Sequence, residues 1–132
     1  MANTFKVVTF AAEPPDAGGG TPGDYIVYTA PSNPTTTTVV LGLILSNINT
    51  SQVTATVKLV SDTADRGGPL SSGANSVDNG TAFLLKDAPI PVGSSLELLA
   101  GNKVVLESTD QIVVTCSVID KLSGSLSIME IT

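Results

Sequence analysis

QVTATVKLV, residues 52–60, alternates without a break. Val53, Ala55, Val57 and Leu59 fall on one side of an extended chain, and Thr54, Thr56 and Lys58 on the other. Successive side chains of a strand point to opposite faces, so this pattern predicts a strand with one face in a core and one in water. QIVVTCSVI, residues 111–119, repeats it with Ile112, Val114, Cys116 and Val118 inward. Cys116 then reads as a small core side chain rather than a reactive thiol.

Working outward from these two, TTTVVLGLILSN (Thr36 to Asn47) is apolar on both faces. That suits a central strand or one covered by a partner. Further strands are expected at Thr4–Phe10, Asp24–Ala30, Thr81–Leu85, Ser95–Ala100, Lys103–Glu107 and Gly124–Ile131. Turn residues separate them: APSNP, NINTS, ESTDQ and DKLSG, with AGNK predicted as a hairpin because it sets Gly-Asn between two strands. Helix signals are nearly absent. About eight short strands at such spacing predict an all-β fold, a single antiparallel β-sandwich of jelly-roll type, with a small closed barrel as the alternative.

Two stretches do not suit a compact sandwich. EPPDAGGGTPG (residues 13–23) is crowded with proline and glycine and reads as a hinge. Extended, it spans at most ~36–40 Å, enough for Thr4–Phe10 to leave its own sandwich and join a neighbour's sheet edge. The domain organisation expected is therefore an N-terminal arm and linker over residues 1–23 and a sandwich over 24–132. Pairing of Thr4–Phe10 within its own sheet is the competing expectation. The second stretch, Ser61 to Gly80, is a polar glycine-rich loop long enough to be a contact element.

Composition narrows the function classes. The 132 residues carry 12 acids and 6 bases, a net charge of −6, and the bases are isolated from one another. Nucleic-acid binding through phosphate neutralisation does not fit. Mean hydropathy is +0.32, yet the longest apolar run, Val39 to Leu45, is far too short to cross a bilayer. MANTFKVVTF lacks the basic and long apolar regions of a signal peptide, so the Asn-X-Ser/Thr matches at Asn49 and Asn79 carry no expectation of glycosylation. The single cysteine excludes an internal disulfide and fits synthesis in a reducing cytoplasm.

For catalysis the chain offers little. It has no histidine, the commonest general base and metal ligand. No serine stands in a nucleophile elbow, and GGGTPG lacks the Lys-Ser/Thr ending that would cradle a phosphate. No catalytic residue, cofactor site or metal site is assigned, and the chain is expected not to be an enzyme. Asp62, Asp65 and Asp78 share one loop and keep calcium open as a minor reading, although their spacing matches no defined calcium loop. Glycan binding usually relies on exposed rings, and this chain has no tryptophan. Tyr25 and Tyr28, three apart in a strand, fall on opposite faces unless a bulge intervenes.

The segments DYIVYTAPSN…TTTVVLGLILSNINTSQVTATVKL and AFLLKDAPIPVGSSLELLAGNKVVLESTDQIVV, closing with LSIMEIT, resemble small β-sandwich virion proteins of tailed bacteriophages, especially phages of aquatic bacteria. The likeness covers roughly residues 24–60 and 81–132, and its motifs are structural. It implies a place in the particle: capsid decoration or cementing foremost, with a neck, baseplate or tail-fibre component, including a host-glycan-binding module, as the alternative. A cellular adhesion domain is a third reading, less suited to a chain without an export signal. The implied localisation is the virion, after synthesis in the host cytoplasm. The implied partners are other virion proteins and copies of the same chain, a trimer favoured, with no nucleic acid or membrane.

Candidate interface residues come from the arm and the last strand: Phe5, Val7, Val8, Phe10, Met129 and Ile131. In LSIMEI, Leu126 and Ile128 point one way and Met129 and Ile131 the other. Together with Val39 to Leu45, this is more apolar surface than one sandwich face requires. Burial of both strands on each side is the competing expectation.

Overall fold

The structure, a computed structural model, describes residues 3–13, 25–61, 81–99, 103–118 and 121–132. Nine strands run in chain order: β1 Asn3–Glu13, β2 Tyr25–Thr29, β3 Thr37–Asn47, β4 Val53–Val60, β5 Thr81–Ile90, β6 Ser95–Leu98, β7 Val104–Leu106, β8 Gln111–Cys116 and β9 Leu122–Ile131. No helix occurs among the described residues. Two antiparallel sheets pack face to face as a β-sandwich. One has the order β1-β9-β3-β6, with β7 also on β3; the other has the order β2-β8-β4-β5.

Alternation builds the core. Val53, Ala55 and Val57 of β4 and Ile112, Val114 and Cys116 of β8 are buried, facing Val40, Leu43 and Leu45 of β3 and Leu122, Leu126 and Ile128 of β9. Leu59 is only partly buried at the rim, and Val118 lies beyond the end of β8 and is exposed. The Cys116 thiol is pushed above its ordinary pKa by burial, which suits a packing residue.

Thr4–Phe10 stays with its own chain. Asn3 to Phe10 pair with Ile131 to Gly124 in one unbroken antiparallel register. The N-terminal segment is thus an edge strand of the sandwich, and the boundary expected at residue 23 does not separate it from the sheet. Its inward side chains explain this: Val8 packs on the core and Phe10 belongs to it, the ring 5.9 Å from that of Tyr25. Of the hinge expected at 13–23, Glu13 belongs to β1, and residues 14–23, like the loop carrying Asp62, Asp65 and Asp78, lie outside the described residues.

Three local expectations are corrected. β6 and β7 do not form a hairpin at AGNK; both run antiparallel to β3, at Leu43–Ser46 and Thr38–Val40 respectively. The two strands run in the same direction because one long partner strand serves both. β5 continues to Ile90 through Pro89, where the missing N–H is tolerated on an edge strand. Tyr25 and Tyr28 share the inner face, because Val27 is an extra residue between the Ile26–Val113 and Tyr28–Ile112 pairs.

The NINTS link crosses from β3 to β4 and is held by Asn47. Its Nδ2 donates to the carbonyls of Ser51 and Ile90 at 3.0 and 2.9 Å, and its Oδ1 accepts from the Asn49 N–H at 2.7 Å.

Candidate interaction face

The outer faces of both sheets carry exposed apolar side chains, but on the β2-β8-β4-β5 sheet the row Ile26–Val113–Lys58–Phe83 has a lysine within it. On the β2-β8-β4-β5 sheet the outward residues of β4 are Thr54, Thr56 and Lys58, as alternation requires of a wetted face. On the β1-β9-β3 sheet the outward residues are apolar or small. Phe5 pairs with Met129, Met129 with Val39, and Val39 with Val105. The four side chains therefore form one row across four strands. Phe5 is 73% exposed and Val105 57%, while Met129 and Val39 are half-buried between them.

Neighbouring rows extend the patch. Val7 is exposed beside Ser127, and Ile131 stands beside Thr37. Farther along β3, Ile44 is exposed between Ser125 and Glu97. A bulge at Leu41, between Val40 and Gly42, opens a shallow depression of about 280 Å³, lined by Leu41, Gly42, Ile44, Glu97, Ser125 and Ser127. Glu97 brings the only carboxylate to that lining. A face of this kind excludes water when covered and offers a partner few charges to desolvate.

Beneath one end of the row lies a polar cluster between the sheets. Glu130, with Thr38 paired beside it, points inward and is 8% exposed. Lys6 Nζ lies 2.7 Å from its Oε1, and Tyr28 donates its hydroxyl proton to Oε2 at 2.6 Å. The same hydroxyl is 2.9 Å from Thr38 Oγ1. Hydrogen bonds from Lys6 and Tyr28 hold the Glu130 carboxyl below its ordinary pKa. Burial first, then the Glu130 hydrogen bond, pushes the Tyr28 phenol up to about 12. The cluster ties β1, β2, β3 and β9 together. It positions the outward row by fixing the strands that carry it.

Of the candidate interface residues, Phe5, Val7, Met129 and Ile131 share the outer face. Val8 faces the core and Phe10 is 5% exposed within it. Val105, Val39 and Ile44 complete the face and were not among the candidates. The apolar run Val39 to Leu45 was the one signal for Val39 and Ile44, since it had more apolar positions than one face needs, and Val105 had none. β3 and β9 are both central strands, and the described residues cover only one of their faces.

Among the described residues no three His, Cys, Asp or Glu side chains gather closely enough to hold a metal ion. Comparison of the chain with protein-family models, with curated proteins and with solved structures returned no match.

Proposed function

We propose that the protein is a non-enzymatic structural component of a tailed-bacteriophage virion, decorating or cementing the capsid by burying surface against other proteins. The observation that carries a role in association is the in-register row Phe5–Met129–Val39–Val105, which holds no charged side chain. Apolar patches of this kind on soluble domains accompany protein–protein contact. The virion setting rests on the likeness of residues 24–60 and 81–132 to phage β-sandwich proteins. Strand order supports the finer jelly-roll reading: β1-β9-β3-β6 facing β2-β8-β4-β5, with most connections crossing between the sheets.

The test is quantitative gel densitometry of purified particles of the phage that encodes this chain. Decoration or cementing predicts copies comparable in number with the major capsid protein. A handful per particle would move the protein to the neck, baseplate or fibre. Its absence from particles would overturn the reading.

A further inference from the structure

Among the described residues four edges bound the two sheets, and three of them carry devices that hinder the addition of another strand. β2 has five residues and a bulge at Val27. β5 breaks register twice against β4, holds Asp87 at φ 49°, and contains Pro89. β6 and β7 are short, four and three residues. Bulges, prolines, charges and short strands are how sheet proteins blunt their edges.

β1 has no bulge, proline or break from Asn3 to Phe10, and its one charge, Lys6, is already paired with Glu130. Its register against β9 is unbroken over that span, and it stands at the end of its sheet. Lys6 is the only charged side chain there, and it turns inward to Glu130. In a chain of net charge −6, this edge brings no acid to meet its equal.

We propose that β1 pairs with β1 of a second copy, antiparallel, about a twofold axis at Val7. The register follows from the strand itself. An axis between two residues would oppose outward Phe5 to an inward position and turn the second sandwich over. An axis at Lys6 would set two lysines opposite each other, which is unfavourable. Axes at Phe5 or Val8 shorten the overlap within Asn3–Phe10. An axis at Val7 opposes Phe5 to Thr9, Lys6 to Val8 and Thr4 to Phe10, and keeps both outer faces on one side. The rows Phe5–Met129–Val39–Val105 of the two copies then lie on one continuous sheet. This is an isologous pair, in place of the trimer that the phage likeness implies. It stands whether or not the protein belongs to a virion.

The test uses the full chain in solution. Sedimentation equilibrium is expected to give twice the 13.4 kDa chain mass. Val7→Lys sets two lysines on the axis and is expected to weaken association about tenfold or more, with circular dichroism unchanged. Val7→Glu should do the same, and mixing the two variants should restore the pair. Val7→Cys should link two chains under mild oxidation, since directly opposed strand residues stand within disulfide reach. Two copies of Phe5→Cys stand four positions apart, roughly 13 Å along the strand, and should not link. Phe5→Cys mixed with Thr9→Cys should. Cys116 is 1% exposed and takes no part. A native chain that stays monomeric at tens of micromolar, a mass of three chains, or Phe5→Cys linking to itself as readily as Val7→Cys would overturn the proposal.

Discussion

The Phe10 ring lies over Gly124, its register partner across the β1–β9 pair. A Cβ added to Gly124 would stand 2.9 Å from Phe10 Cζ and inside contact distance of the Ile44 carbonyl oxygen. The missing side chain lets an edge-strand ring enter the core from above a central strand. Gly124→Ala must therefore displace both a ring and a backbone, and is expected to cost about 1–3 kcal/mol as overpacking does. Gly42→Ala is the control, because a Cβ there meets nothing within 4 Å. Urea denaturation of the two variants beside the parent measures the difference. Equal stability of the two variants would show that the sheet yields freely around Gly124.

Phe5 and Phe10 separate the two roles of β1. Phe10 is 5% exposed and Phe5 is 73% exposed. Phe10→Ala leaves a ring-sized void and is expected to cost about 3–5 kcal/mol. Phe5→Ser removes a ring already in water and should stay within about 0.5 kcal/mol. Both are read by denaturation at protein concentrations low enough to exclude association. A large loss from Phe5→Ser would mean that the outer face contributes to folding of the single chain.

What the sequence made legible follows from how local each signal is. The alternation in Val53–Leu59 and Ile112–Cys116 marked the inward positions because a strand's period is set by its own backbone. The shared face of Tyr25 and Tyr28 was not legible, since the bulge at Val27 exists only against β8. AGNK suggested reversal by its residue types, whereas the direction of β6 and β7 is set by their common partner β3. The row Phe5–Met129–Val39–Val105 draws on four distant segments. Its members were visible singly, but their adjacency depends on a strand order that no local pattern encodes.

The Lys6–Glu130–Tyr28 cluster should give stability a dependence on pH at both ends. Glu130 titrates lower in the folded chain than its ordinary value. The folded state thus binds fewer protons than the unfolded one as pH falls through the carboxylate range. Its contribution is present above the unfolded value of roughly 4.3 and is lost as pH drops through the folded one. Tyr28 behaves oppositely. Its folded value of about 12 exceeds the ordinary 10.0, so its contribution is whole below pH 10 and is lost between there and about 12. Glu130→Gln should flatten the acid limb and Tyr28→Phe the alkaline one, in denaturation midpoints followed across pH. Parent and variants falling in parallel at both ends would remove the cluster as the cause.

Asn47 sets the crossing from β3 to β4, and its two polar atoms are not equivalent. The amide nitrogen donates to the carbonyls of Ser51 and Ile90, and the oxygen accepts from the Asn49 N–H. The side chain is buried, 6% exposed. Asn47→Ala leaves the Ile90 carbonyl and the Asn49 amide without these partners and is expected to cost about 1–3 kcal/mol. Asn47→Asp is nearly the same size but replaces the donor with a second acceptor, and at neutral pH it sets a charge against two carbonyl oxygens. It should therefore lose more than Asn47→Ala at pH 7. It should also recover relative to Asn47→Ala as the pH is lowered and the new carboxyl protonates, because a protonated oxygen can donate to one of those carbonyls. Thermal melts of the two variants from pH 7 to pH 4 decide the matter. Asp better tolerated than Ala at pH 7 would mean that the turn is held by the Asn49 contact alone.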